Sequence, residues 1–264
     1  MTWWQAIIFG LVQGITEFLP VSSSGHLVLT EKLMGIQHQD LLAFYSLLHV
    51  GTLIAVFVVM RHEIAAILKN IFGKMTWLLL VSTIPAVLFA VLGKDLIDKA
   101  FGGRTLGIEF VFTGIILIAA LMVKEGTKTI DKISWLDALI AGIGQAIAIL
   151  PAVSRSGTVL AALLFRKIKR EDAIRFAFLM SIPAILGSFL LDMMDVVQGK
   201  STLTSDQTLP ILIGIAAAGL SGYAVMRLMI KKLTRTGIAI CGGYVAILGI
   251  LILMDQNIFH IVFK

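Results

Sequence analysis

Six stretches of this chain are apolar for long enough to cross a lipid bilayer, and they constrain the fold more than anything else in the sequence. They cover residues 41–60, 77–92, 106–123, 173–193, 209–228 and 237–254. Each is flanked by charge, as in Arg61-His62-Glu63 and Lys231-Lys232. In lipid the backbone must satisfy its own hydrogen bonds, so such stretches are helices. Composition agrees: of 264 residues, 58% are hydrophobic and only 14% are charged. Mean hydropathy is +0.96. A soluble domain carries about 25% charged residues, so this chain lacks the charge to cover a soluble surface. Disorder is excluded on the same ground. The reading is an all-α polytopic membrane protein, with residues 1–264 forming one membrane domain.

Two further apolar regions are interrupted. Residues 3–19 run into Pro-Val-Ser-Ser-Ser-Gly and then a short run at 27–34. Residues 135–150 run into Pro-Ala-Val-Ser-Arg-Ser-Gly and then a short run at 158–165. An eight-residue helix spans about 12 Å, which cannot cross a core of about 30 Å. Each pair therefore reads as a re-entrant helical hairpin. Polar, irregular backbone at membrane depth is tolerated only inside protein or beside a wet cavity, so both tips belong in such a place.

The two hairpins are copies. A shift of 132 residues lays 2–29 on 134–161 with ten of 28 positions identical. The matches include Trp3/Trp135, Gly10/Gly142, Gln13/Gln145, Ser22/Ser154, Ser24/Ser156 and Gly25/Gly157. They continue at Asp40/Asp172, Phe44/Phe176 and Phe57/Phe189. Each half, 1–132 and 133–264, holds one hairpin and three spans. Three is odd, so the second half enters the membrane from the opposite side. This predicts an inverted-topology repeat, in which the working site commonly lies near the midplane between the halves.

Lys and Arg give the orientation. The loops around 61–76, 124–172 and 227–236 hold fourteen of them with Arg155 left out. The opposite side holds six: Lys32, Lys94, Lys99, Arg104, Lys200 and Lys264. The first side is expected to be cytoplasmic, with both termini outward. The net charge of +6 thus sits in loops between spans, which argues against a nucleic-acid partner. The single cysteine, Cys241, excludes an intramolecular disulfide and a Cys-based metal site. The first residues do not read as a cleaved signal peptide.

The tips differ where chemistry needs them to. Glu17 has Ile149 as its mate, Ser23 has Arg155, and His26 has Thr158. One copy supplies a carboxylate and an imidazole, the other a guanidinium. Ionisable groups at membrane depth point to function. Arginine matches phosphate oxygens with a rigid fork. N–H groups of a Ser/Gly turn entering a helix form an anion nest. A serine attacks phosphorus once a base takes its proton, and histidine or glutamate manages that proton. These parts suit diphosphate chemistry. The candidate catalytic residues are Glu17, Ser23, His26 and Arg155. The candidate substrate-binding residues are Gln13, Ser22, Ser24, Gly25, Ser154, Ser156, Gly157 and Thr158. Ser22, Ser24 and the glutamines also read as caps and helix-to-helix bonds. His49 (Ser-Leu-Leu-His-Val-Gly) is a weaker candidate, equally readable as packed.

At QGITEFLPVSSSGH (13–26) and PAVSRSG (151–157) the sequence resembles the undecaprenyl-diphosphatase family of the bacitracin-resistance type. The stretch FAFLMSIPA (176–184) and the length also fit. The resemblance implies six spans plus re-entrant helices in an inverted repeat. It implies hydrolysis of a polyprenyl diphosphate, undecaprenyl diphosphate, to the monophosphate and inorganic phosphate. It also implies a bacterial cytoplasmic (inner) membrane with the site open to the periplasm. A divalent cation, Mg²⁺ or Ca²⁺, is implied, with Glu17 sharing it with the diphosphate. Membrane lipids are further partners, and a homodimer stays open. The chain departs from the family at Gln13, where some members have glutamate, at Ala152, where glycine is usual, and at Thr158, one place from the usual threonine. The rival is a polyprenyl-phosphate flippase built on the same repeat.

Overall fold

The computed structural model describes residues 1–36, 41–93, 97, 100, 104–198 and 207–263. The charged loop at Lys94, Asp95, Asp98 and Lys99 lies outside these residues, as do Asp40, Lys200 and Lys264. The described residues form α-helices and no strand. In chain order these are α1 (Trp3–Phe18), α2 (Ser23–Leu33), α3 (Leu41–Val59), α4 (Arg61–Lys69), α5 (Lys74–Leu92) and α6 (Leu106–Met122). There follow α7 (Trp135–Ile147), α8 (Arg155–Phe165), α9 (Arg170–Val197), α10 (Thr208–Lys232) and α11 (Arg235–Met254).

Helices α5, α9, α10 and α11 are long and apolar enough to cross a membrane. Helices α3 and α4 add a fifth candidate if they are one span bent by 76°. Helix α6, with 17 residues, reaches about 25 Å and is among the shorter apolar helices. Length alone therefore gives four or five of the six expected spans. The outward faces are apolar, with Leu92 and Met122 more than four-fifths exposed. The protein is a multi-pass helical membrane protein.

Both interrupted regions fold as two short helices joined at the Ser/Gly turn. Their second arms start earlier than the hydropathy suggested, at Ser23 and Arg155, and each has 11 residues. The reason is local. Ser22 and Ser154 are N-caps, each accepting the N–H three residues on, from Gly25 at 3.3 Å and Gly157 at 3.1 Å. A cap draws the polar turn into the helix. The first arms also start alike. Thr2 with Gln5 and Ser134 with Asp137 each form a capping box, and the 132-residue shift maps one onto the other.

Helix packing follows the same correspondence. Helix α1 lies on α10, and its copy α7 lies on α5. A Cβ on Gly10 would stand 2.4 Å from the Gly214 carbonyl oxygen, and one on Gly142 would stand 2.4 Å from that of Ser82. These two contacts are related by the shift at both ends. Small residues permit such close approach where apolar burial gives no drive between helices. Helices α6 and α11 pack on each other in the same way through Gly107, Gly114, Gly242 and Gly249. Each hairpin therefore rests on a long helix of the other half, and the two tips face one another.

Candidate active site where two hairpin tips meet

The tips exchange hydrogen bonds. Ser24 Oγ donates to the Pro151 carbonyl at 2.5 Å, and Ser156 Oγ donates to the Leu19 carbonyl at 2.9 Å. Both donors and both acceptors are repeat mates. Ser22 Oγ also donates to Pro151 O, at 2.7 Å. Ser22 adopts φ +69°, a left-handed conformation uncommon outside glycine. Its cap bond and its bond to the opposite tip hold it there. Gly25 admits the contact: a Cβ would come within 2.9 Å of Ala152 Cα.

Glu17, Ser23 and Arg155 come together at this junction. Ser23 Oγ donates to Glu17 Oε2 at 2.6 Å. Gln13 Nε2 donates to the same oxygen at 3.0 Å. The Arg155 guanidinium is paired with Glu17 Oε1. Glu17 is buried, its side chain only 3% exposed, while Arg155 keeps 22%. A buried carboxylate requires such a set of donors and a counter-charge. Helices α2 and α8 both point their N-termini at the junction. Their first-turn N–H groups and dipoles favour an anion there.

The hydrogen bonds of His26 go to groups other than the nucleophile candidate. Its Nδ1 lies 2.6 Å from the Ser22 carbonyl oxygen, so Nδ1 carries the hydrogen. Nε2 is left to accept from Tyr244 Oη at 2.8 Å. The ring is stacked against Tyr244 and meets the edge of Phe110. Thr158 is not turned to the junction either. Its hydroxyl reaches the carbonyls of Gly144 and Ser154, each at 2.9 Å, bracing α8 on α7. Ser154 Oγ is occupied as the cap of α8, with Ser156 Oγ at 3.3 Å. Gln13 acts on Glu17 within its own helix. Its mate Gln145 has no hydrogen-bond partner for either amide atom among the described residues.

Several residues at the site were not singled out by sequence. Glu109 accepts from the Ala152 N–H at 2.8 Å, and Thr113 Oγ1 bonds to Ala152 O and Ser154 N, each at 3.1 Å. Helix α6 thus holds the second tip in place. An acid inside an otherwise apolar span was the available signal for Glu109. Tyr244 carried no signal. His49, the weaker candidate from the sequence, does reach the site: its Nε2 lies 3.6 Å from Glu17 Oε2.

A divalent cation needs several oxygen ligands. Among the described residues no group of three His, Cys, Asp or Glu is placed to hold one. Both Glu17 oxygens are already taken by Arg155, Ser23 and Gln13. These residues do not fit a protein-held metal site.

The fold and site define a helical membrane protein in which a hydroxyl and an arginine, each opening a helix, meet a buried carboxylate, a set of groups suited to a phosphorylated ligand. The family described as "Bacitracin resistance protein BacA" matches residues 6–251, and the chain belongs to that family. It is 44% identical over 257 residues to a protein of Carboxydothermus hydrogenoformans named undecaprenyl-diphosphatase, covering 97% of this chain and 98% of that one. A Bacillus cereus protein named undecaprenyl-diphosphatase 3 is equally similar over the same shares. One from Methanobrevibacter smithii with the name undecaprenyl-diphosphatase is 35% identical, covering 96% of this chain and 97% of its own.

Proposed function

We propose that this chain is an integral membrane phosphatase that hydrolyses undecaprenyl diphosphate to undecaprenyl phosphate and inorganic phosphate, recycling the lipid carrier of cell-wall synthesis. The observation that carries this reading is the Ser23–Glu17–Arg155 cluster between the tips, in a family whose relatives bear that enzyme's name.

The chemistry follows from the contacts. Without substrate, Arg155 is the counter-ion of Glu17. An arriving diphosphate competes for the guanidinium, which matches phosphate oxygens well. As Arg155 turns to the phosphate, Glu17 loses its counter-charge and becomes a stronger base beside the Ser23 hydroxyl. Ser23 Oγ then bonds to the terminal phosphorus while its proton passes to Glu17 Oε2. The bond from phosphorus to the bridging oxygen breaks, and undecaprenyl phosphate leaves. Water hydrolyses the phosphoserine and frees inorganic phosphate. The leaving group is itself a stable anion, so the site needs positive charge near it more than an acid. Arg155 and the N-termini of α2 and α8 supply that charge. His26, bonded to Ser22 and Tyr244 and not to Ser23, shapes the first tip. No step here runs through a metal ion.

The reading includes an inverted repeat of 1–132 and 133–264, supported by the exchanged tip bonds and the crossed helix packing. It places the chain in the bacterial inner membrane, with the basic loops cytoplasmic and the site open outward. The flippase reading has no support in the relatives' names.

Purified protein in detergent, without a sealed membrane, should release phosphate from undecaprenyl diphosphate. Brief reaction and acid quench should trap a phosphoserine that is absent in Ser23→Ala. Turnover without any trapped species would hand the attack to water. Unchanged release in Arg155→Ala would remove the site assignment altogether.

A further inference from the structure

We propose that His49 is a positioning residue that shares a proton with Glu17 and so serves its work as the base; this rests on the phosphatase reading above. His49 lies in the middle of α3 and reaches the carboxylate at Oε2, while Arg155 is paired with Oε1. Its Nδ1 lies 2.8 Å from the Tyr45 carbonyl oxygen, one helical turn back. A carbonyl only accepts, so Nδ1 carries the hydrogen and Nε2 is the free position of the neutral ring. That Nε2 faces Glu17 Oε2 at 3.6 Å. This is the oxygen that accepts the Ser23 hydroxyl.

Two bare acceptors this close repel one another. The arrangement becomes favourable once a proton lies on either of them. Catalysis delivers one there, because the proton leaving Ser23 lands on Oε2. His49 Nε2 then accepts a hydrogen bond from the protonated carboxyl, or takes its proton, and returns it when water hydrolyses the phosphoserine. The proton count balances: the proton that leaves Ser23 goes back to its oxygen as the phosphoserine is hydrolysed, and of the attacking water's two protons one stays on the released phosphate and one leaves to solvent.

The repeat supplies an independent observation. The mate of His49 is Ser181 and the mate of Glu17 is Ile149. Ser181 is buried and turns its hydroxyl onto its own helix, at Phe178 O. The imidazole therefore occurs in the half that has the carboxylate and is missing from the half that lacks it. A packing role alone would not link the two positions. The charged groups around His49 are Glu17 from α1 and, behind it, Arg155 from α8. Tyr45 on the same helix turns its hydroxyl to Glu31 of α2. Helices α9 and α10, which also pack on α3, carry their described charges toward their ends.

The test has three arms on the full-length protein in detergent. His49→Gln keeps a polar side chain of similar reach but cannot share a proton. Its kcat should fall by about a hundredfold, with KM within a fewfold of the parent. His49→Ala should regain activity with added imidazole, which a loss of packing would not allow. The third arm needs no substrate. The infrared carboxyl band of Glu17, assigned by its disappearance in Glu17→Gln, should titrate in two coupled steps in the parent and one in His49→Gln. Identical titration in both proteins, or parental kcat in His49→Gln, would overturn the proposal. If the parent releases no phosphate from undecaprenyl diphosphate, the substrate reading fails, while the infrared arm still decides on His49.

Discussion

Arg155 and Glu17 are paired across the two hairpin tips although 138 positions separate them in the chain. In the absence of substrate the guanidinium engages Glu17 Oε1. The pair also ties each tip to the other by charge as well as by hydrogen bonds.

Glu17→Gln should lower kcat by at least about a hundredfold, because it removes the acceptor of the Ser23 proton. It should also destabilise the protein, since Arg155 would keep its charge without a partner in a half-buried place. Breaking a buried pair from one side costs about 3–5 kcal/mol, and the 22% exposure of Arg155 puts the expected loss below that range. Phosphate release and thermal unfolding in the same detergent read the two effects separately.

Ser24→Ala and Ser156→Ala should behave alike. Each removes one hydrogen bond from tip to tip, worth about 1 kcal/mol. At the size of this chain that is a fall in Tm of about 2–4 °C. The two losses should not add, because the bonds hold the same junction. A Tm series of the two single variants and the double variant measures this. A fully additive double variant would mean that the tips are held independently.

Gly25→Ala should harm both stability and activity, because the added Cβ meets Ala152 Cα at 2.9 Å and the Phe110 ring at 2.7 Å. Overpacking of this kind costs about 1–3 kcal/mol. Gly243→Ala is the control, with nothing within 4 Å of the new methyl. It should fold and turn over like the parent.

Substrate-free protein should show no saturable binding of Mg²⁺ or Ca²⁺ by calorimetry, as the Glu17 oxygens are engaged and, among the described residues, no group of three His, Cys, Asp or Glu is placed to hold a cation. A cation bound with micromolar affinity and lost in Glu17→Gln would refute this.

Much of this site was legible in the sequence, because the repeat exposes it. Aligning the halves separates Glu17 and Arg155, which differ from their mates, from Ser24 and Ser156, which do not. The first pair holds the charges and the second makes the symmetric scaffold. What escaped the sequence depends on approach between distant helices. Tyr244 reaches His26 from α11 with nothing polar in its own neighbourhood to mark it. His26 could be named as a titratable group, but not its bonds to Ser22 and Tyr244. Helix ends shifted because caps, not hydropathy, set them, as at Ser22 and Ser154.

The crossed packing has a consequence for how such a protein is made. Helix α1 leaves the ribosome well before α10, the helix on which it comes to rest. During synthesis the first hairpin must therefore wait, with Glu17 lacking Arg155 and His26 lacking Tyr244, until most of the chain has been inserted. The translocon or a chaperone has to shelter those groups for that interval. A nascent chain stopped before α10 should be a substrate for membrane quality control, whatever the soundness of its first half.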